Sequence, residues 1–173
     1  MLQIVENAKA LDRPVALATS NKTITNGTDV DLAEYFAFAH QPVIVSEDFE
    51  ATLKNKEIFQ VMLSAREKEY NAVMEQTTYS KITAWWNRAV DIIPTSSGKG
   101  TGIKRMLEYY GFDKSQTIAF GDGNNDIEML DAVGWGLAMD NASEDLKEIA
   151  DEVIGHVAEE GIYHYCLEKG LIR

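Results

Sequence analysis

Two aspartates of this sequence have the spacing of a site for a cation and a phosphate. Residues 117–120 suit a buried strand, and Gly121-Asp122-Gly123 then forms a turn into a helix-compatible segment that contains Asp126. Asp122 is therefore predicted at the carboxyl end of a strand, where ligands bind in open parallel sheets. With Asp126 in the first helical turn, two carboxylates and outward-pointing backbone N–H groups suit Mg²⁺ and a phosphate group.

The neighbouring residues decide between this site and a simpler interpretation. Taken alone, Asp122 could cap the helix and Asp126 could be a solvated acid of its first turn, because both positions favour negative charge. The flanking glycines, which allow a sharp turn, and the two asparagines that follow favour the site. Asn125 could donate a hydrogen bond to a phosphoryl oxygen or hold a carboxylate, whereas Asn124 is interpreted as a turn residue.

Lys99 is the candidate cation of this site. It stands in Ser-Ser-Gly-Lys-Gly at the start of a predicted helix, where a positive charge opposes the helix dipole. An ordinary surface lysine is the alternative, but the flanking glycines and Pro94 predict a loop that presents the ammonium group to an anion. Lys99 precedes Asp122 by 23 residues, about one α/β unit, so adjacent strands could bring both to one sheet edge. There the ammonium group would neutralise charge on a transferring phosphoryl group.

The composition of the 173-residue chain narrows the class of protein. A net charge of -12 disfavours binding to nucleic acid or to an anionic membrane. The single cysteine, Cys166, excludes an internal disulfide and is interpreted as a core residue. No apolar stretch approaches the ~20 residues of a membrane span. The amino terminus has no basic region of a signal peptide, so a cytoplasmic location is expected.

The pattern of elements predicts an α/β protein with two regions that meet near residue 93. Residues 1–93 mix helices and antiparallel strands, as in an α+β domain, whereas residues 94–173 alternate strands and helices through short connections. Such alternation predicts a parallel sheet covered by helices. The predicted helices are 2–11, 29–38, 66–76, 99–110 (ending at a left-handed Gly111), 124–132, 143–149 and 158–168, and the predicted strands are 15–19, 57–64, 79–86, 89–93, 117–120, 135–139 and 152–154.

Residues 91–173 resemble the carboxyl-terminal half of the Cof-type phosphatases in the haloacid dehalogenase (HAD) superfamily. The resemblance rests on Ile-Ile-Pro followed by Gly-Lys-Gly, on Gly-Asp-Gly-Asn-Asn-Asp-Ile-Glu-Met-Leu, and on Gly-Leu-Ala-Met-Asp-Asn-Ala at 136–142. The tail over 150–162 also fits. The resemblance implies part of a Rossmann-like parallel-sheet core, and residues 1–90 are similar, in pattern only, to the α/β cap that these enzymes insert into that core.

The resemblance also implies roles for five residues, with Mg²⁺ as cofactor. Lys99 would be the phosphate-stabilising lysine, a catalytic and substrate-binding residue, and Asp122 a Mg²⁺ ligand. Asp126 would be the second acid of the motif, with a catalytic and metal-binding role. Asn125 would contact the phosphate, and Asn141 would lie in a substrate-binding loop near the site.

The nucleophile of this family has no convincing counterpart in the sequence. Members carry an Asp-x-Asp motif after the first core strand, and the only such sequence here is Asp29-Val30-Asp31. It follows Asn-Gly-Thr rather than an apolar strand, so Asp29 is predicted to be a helix N-cap. The chain is therefore expected to begin roughly where the cap begins, as a truncated or split member that is inactive alone. The open sheet edge is expected to pair with a second copy or with a complementing N-terminal fragment.

Three functions remain open at this point. The leading hypothesis is a Mg²⁺-dependent phosphatase lineage that acts on small phosphorylated metabolites, represented here by half of its site. The second is a non-catalytic module that binds a phosphometabolite or a metal. The third is the cytoplasmic piece of a cation-pumping ATPase, whose hinge carries a similar Gly-Asp-Gly-x-Asn-Asp, and it is disfavoured because such chains contain membrane helices.

Overall fold

A computed structural model describes residues 1–173, which form two compact units, Met1–Ser96 and Ser97–Arg173. The sequence predicts a change of pattern near residue 93. Each unit has its own sheet, with five strands in the first and three in the second. No helix of the structure has both the length and the apolar character needed to cross a bilayer.

The first unit is an antiparallel sheet with helices on both faces. Its strands lie in the order β2-β1-β3-β5-β4. Its elements are α1 (Leu2–Ala10), β1 (Val15–Ala18), β2 (Thr23–Thr25), α2 (Val30–Phe38), α3 (Phe49–Asn55), β3 (Gln60–Ser64), α4 (Tyr70–Val73), β4 (Ser80–Thr83) and β5 (Ala89–Pro94).

Alternation along the strands builds two cores in this unit. Val15 and Leu17 of β1 pack with residues of α1 and α3 on one face, whereas Ala16 packs with α2 on the other. Because successive side chains of a strand point to opposite faces, a strand that is apolar on both faces is covered on both. α2 is thus held against the sheet by its own small cluster, which includes Leu32 and Tyr35.

The second unit confirms the predicted α/β alternation and the parallel sheet. β6, β7 and β8 pair in parallel in that order, and the connection from each strand to the next contains a helix. The helix before them ends at Gly111 with a φ of 70°, the predicted left-handed C-cap. The elements are α5 (Lys99–Tyr110), β6 (Ile118–Gly121), α6 (Ile127–Ala132), β7 (Trp135–Met139), α7 (Glu144–Ile149), β8 (Glu152–Ile154) and α8 (Gly161–Glu168).

Candidate active site

The candidate site is built where β6 ends. Asp122 directly follows the strand, and a single 3-10 turn over Asn124–Asp126 then leads into α6. Gly121 makes this turn possible, because a Cβ atom there would lie 2.8 Å from the Cβ of Asp126. The glycine therefore lets the Asp126 side chain fold back over the end of the strand.

Asp126 is a buried hub that ties this loop to α5. One of its carboxylate oxygens, Oδ2, accepts the backbone N–H groups of Asp122 (3.0 Å) and Gly123 (3.3 Å). The other, Oδ1, pairs with the ammonium group of Lys99. The Asp126 side chain is 4% exposed and that of Lys99 is 49% exposed, so the ammonium group is anchored on one side and open to solvent on the other.

Lys99 reaches Asp126 because two glycines shape the start of α5. Gly98 precedes the helix with a φ of 134°, a conformation that L side chains rarely adopt. Gly100 lies against α6 so closely that a Cβ atom there would be 2.2 Å from the carbonyl oxygen of Glu128. The predicted glycine-flanked loop therefore presents Lys99 through a close helix–helix contact as well as through a turn.

Asp122 faces solvent and is free of protein partners. Its side chain is exposed and makes no hydrogen bond or ion pair, although its backbone is bonded on both sides. The structure contains no group of three or more His, Cys, Asp or Glu side chains that could hold a metal ion by themselves. A cation here would thus have Asp122 as its protein ligand and would need further oxygen ligands, which suits Mg²⁺ with water and a phosphate group.

The asparagines of the predicted site differ in what they contact. Asn125 is half-buried and makes no hydrogen bond, so its amide remains available. The side-chain oxygen of Asn141 accepts the backbone N–H of Val157 at 3.0 Å, which anchors the loop after β7. Asn124, interpreted from the sequence as a turn residue, bonds instead to Ser143 and Asp145 at the start of α7.

The two acids that resembled a nucleophile motif are engaged in structural bonds within the first unit. Asp29 is the N-cap of α2, as predicted, and its side chain accepts the backbone N–H of Leu32 at 2.7 Å. Asp31 pairs with Arg66 at 2.6 Å and with Arg88 at 3.2 Å. Both carboxylates are thus occupied in holding α2 in place.

Comparison with known proteins identifies the class to which this fold and site belong. The sequence model of the haloacid dehalogenase-like hydrolases matches residues 1–166. The chain belongs to this family, and the resemblance to its Cof-type phosphatases is confirmed.

Three similar proteins that are described as phosphatases, one of them as putative, are longer than this chain. The putative phosphatase YkrA of Bacillus subtilis is 40% identical over 120 residues, which cover 69% of this chain and 46% of YkrA. The phosphatase BT1666 of Bacteroides thetaiotaomicron superposes with a TM-score of 0.86 at 30% identity, over 99% of this chain and 64% of BT1666. The HAD subclass IIB sugar phosphatase BT4131 gives a TM-score of 0.87 at 27% identity, over 98% of this chain and 65% of BT4131.

Proposed function

We propose that this chain carries the lysine and metal-binding half of a Mg²⁺-dependent phosphatase site for small phosphorylated metabolites. The observation that carries the proposal is that the Asp126 carboxylate brings two elements together, because it pairs with the ammonium group of Lys99 at the start of α5 and accepts the backbone N–H of Asp122 after β6. The ammonium group would stabilise the charge of a transferring phosphoryl group. Phosphatases among the relatives, one of them a sugar phosphatase, support the substrate class.

Within this half-site the two aspartates would have different tasks. Asp122 is the carboxylate that can bind Mg²⁺ directly, because nothing else engages it. Asp126 already accepts three donors, so its main task would be to hold Lys99 and the loop. Bound Mg²⁺ would neutralise phosphoryl oxygens. Asn125, with a free amide, would contact the phosphate, and Asn141 would support the adjacent loop.

Turnover would require a carboxylate nucleophile that these 173 residues do not supply. Aspartyl-phosphate chemistry begins with attack by such a carboxylate on phosphorus. The only Asp-x-Asp sequence is Asp29-Val30-Asp31, and both of its acids are bonded within the first unit. We therefore propose that the chain binds Mg²⁺ and phosphate but does not hydrolyse phosphate esters until a nucleophile is supplied.

The open edge of the second sheet is the proposed place for the missing element. β6 pairs with β7 on one side only, so its other edge has unpaired backbone groups. A parallel strand added there would end beside Asp122, because parallel strands align their carboxyl ends. Either a complementing fragment that ends in a carboxylate or a second copy of this chain would satisfy the edge.

The proposal is tested by binding and turnover of the purified chain. Mg²⁺ titration is expected to shift the amide resonances around Gly123, and Asp122→Asn is expected to abolish the shift. Hydrolysis of p-nitrophenyl phosphate or of a hexose phosphate is expected to stay at the background rate. Robust Mg²⁺-dependent hydrolysis that disappears in Asp122→Asn would show that the site is complete and would contradict the missing nucleophile.

A non-catalytic binding module is the second candidate, and the absence of a nucleophile among these residues favours it. The two functions differ once the edge of β6 is filled. A phosphatase half-site should gain turnover when the chain is co-expressed with the part of YkrA that lies outside the aligned residues. A binding module should assemble with that fragment, or ignore it, and bind a sugar phosphate without releasing inorganic phosphate.

A further inference from the structure

Asn124 joins the turn after β6 to the start of α7. Its Nδ2 donates to the carboxylate of Asp145 at 3.0 Å, and its Oδ1 accepts the hydroxyl of Ser143. The backbone N–H of Ser143 also donates to the backbone carbonyl of Asp122 at 3.2 Å. Three hydrogen bonds therefore clamp the turn to a segment about twenty residues away in sequence.

The hydroxyl of Ser143 serves this clamp instead of its usual purpose. Ser143 is the N-cap of α7, a position at which a serine side chain ordinarily accepts a backbone N–H of the first helical turn. No such bond is made here, and the hydroxyl donates to Asn124. The Ser143 side chain therefore does not cap α7 and instead makes a long-range contact to the turn.

The clamp helps to fix the orientation of Asp122. The backbone of Asp122 is held at its N–H by Asp126 and at its C=O by Ser143, so its Cα–Cβ bond has a set orientation. The carboxylate beyond that bond is exposed and unpaired. A metal ligand of this kind depends on its supporting bonds for pre-organisation, because nothing else restrains it.

We infer that Asn124, together with Ser143 and Asp145, is a positioning residue that pre-organises Asp122 for a divalent cation. The inference rests on the proposed function only for the identity of the ligand. It is independent of the Lys99–Asp126 pair, which holds the opposite, N–H side of Asp122. Loss of the clamp should make the turn more mobile and weaken cation binding, while the folded core stays unchanged.

The experiment compares loop mobility and cation affinity in the full chain. Amide hydrogen exchange over 121–126 is measured without metal, and Mg²⁺ affinity is measured by amide chemical shifts. Asn124→Ala and Ser143→Ala are expected to raise amide exchange and to lower the Mg²⁺ affinity by about 3- to 10-fold. A factor of this size corresponds to the net free energy of one hydrogen bond, which is about one to two times RT. Ser143→Thr, which keeps the hydroxyl, should restore both values. Glu148→Gln, an exposed position on α7, should change neither.

The outcomes separate the clamp from the proposed function. Raised exchange together with weaker Mg²⁺ binding, with both values restored in Ser143→Thr relative to Ser143→Ala, would support the inference. Unchanged exchange in Asn124→Ala would overturn it, and so would raised exchange with unchanged Mg²⁺ affinity. If the wild-type chain shows no Mg²⁺ binding that depends on Asp122, the proposed metal site fails. Positioning for a cation then fails with it, whatever the exchange data show about the clamp as a structural contact.

Discussion

Asp126 does more for the local structure than an acid that simply binds a cation. Its buried carboxylate accepts two backbone N–H groups of the turn and the ammonium group of Lys99. The ion pair itself contributes modestly, because half of the Lys99 side chain is in water. The backbone bonds carry more of the effect, since an unsatisfied donor is costlier than a lost surface ion pair.

Truncation and isosteric replacement of Asp126 should therefore differ. Asp126→Ala leaves both N–H groups without an acceptor and is expected to lower the free energy of unfolding by about 2 kcal/mol. Asp126→Asn keeps one oxygen for those groups but turns an amide N–H₂ toward Lys99, so it should lose less stability and still release the lysine. The free energies of unfolding are measured by urea titration, with amide exchange in β7 as the probe of unfolding. Equal losses in the two variants would show that the ion pair dominates.

Asp91 is a carboxylate on β5 that lies largely out of water. Burial raises the pKa of the Asp91 carboxyl above its usual 3.8, and hydrogen bonds from Tyr35 and Gln60 oppose that rise. The Tyr35 hydroxyl donates to Asp91 at 2.6 Å and accepts the indole N–H of Trp85 at 3.1 Å. Burial of Tyr35 next to this carboxylate also raises the pKa of the tyrosine.

The direction of the Asp91 shift fixes the sign of a pH effect. In the folded chain the carboxyl retains its proton at pH values at which the unfolded chain has released it, so stability falls as pH rises from 3.8 through the raised pKa. Asp91→Asn removes the charge and keeps an oxygen for Tyr35. The variant should be more stable than the wild type at pH 7, and the gain should vanish below the ordinary carboxyl pKa. Urea midpoints across pH measure this.

Asp113 provides a contrast with the opposite sign. Hydrogen bonds from the hydroxyl and backbone N–H of Ser115 lower the pKa of its exposed carboxyl. Its contribution to stability is present above the ordinary pKa and is lost as the pH falls through the lowered value. Asp113→Asn should thus lose stability at pH 7. A gain in both variants would mean that general charge reduction on this acidic chain, and not burial, explains the result of Asp91→Asn.

At the scale of elements, local patterns predicted the second unit better than the first. The strand–helix alternation, the parallel sheet and the end of α5 at Gly111 are confirmed, because each depends on short-range periodicity or on one residue with a special φ. β2 and α3 were missed: β2 has three residues, and α3 offers too short a pattern. The predicted helix over 66–76 is a 3-10 turn followed by one helical turn at α4.

The sequence was enough to select candidate residues for the site, but it did not predict which of their side chains bond to one another. Spacing predicts that adjacent strands bring Lys99 and Asp122 to one sheet edge, but β5 belongs to the other sheet, and Lys99 approaches the end of β6 from the start of α5 through its pairing with Asp126. Which of the two acids would face solvent depends on how the turn folds back, and this follows from a contact at Gly121 that no local pattern reveals. The clamp at Asn124 was missed for a similar reason. Its only sequence signal is a serine at the start of a predicted helix.

Two glycines of α5 test whether the close contact between α5 and α6 positions Lys99. A Cβ atom at Gly100 would clash with the backbone of Glu128, whereas one at Gly102 would meet nothing within 4 Å. Gly102→Ala should raise stability by up to about 1 kcal/mol through its helix propensity. Gly100→Ala should lower it and separate the helices, with loss of the bond from Lys99 to Asp126.

The matched pair is read by thermal unfolding and by the amide shifts of Gly123, which reports on the Asp126 carboxylate. We expect Gly102→Ala to leave those shifts unchanged and Gly100→Ala to move them. If both substitutions stabilise the chain, α5 is free to shift, and the close contact would not be what places the lysine.

At the scale of the whole molecule, the second unit exposes both an unpaired strand edge and several large apolar side chains. α5 exposes large apolar side chains and lines an open groove of about 710 Å³. Met106 is 54% exposed, Tyr109 80% and Tyr110 59%. Exposed edges combined with apolar patches mark surfaces that associate. The net charge of -12 opposes self-association, because acidic chains repel one another. Which of the two effects is stronger can be measured.

We expect the chain to associate with itself through the β6 edge when no complementing fragment is present. Sedimentation should show a concentration-dependent increase in mass that grows with salt, since salt screens the repulsion between acidic chains. Ile118→Lys places a charge on the edge strand, where Ile118 is 39% exposed, and should weaken association by about tenfold or more. Val153→Lys, at a 46% exposed position of the opposite edge strand, is the matched control and should have little effect. A monomer at every concentration, with one cooperative unfolding transition, would show that the β6 edge is tolerated in water and would remove the reason to expect an added strand.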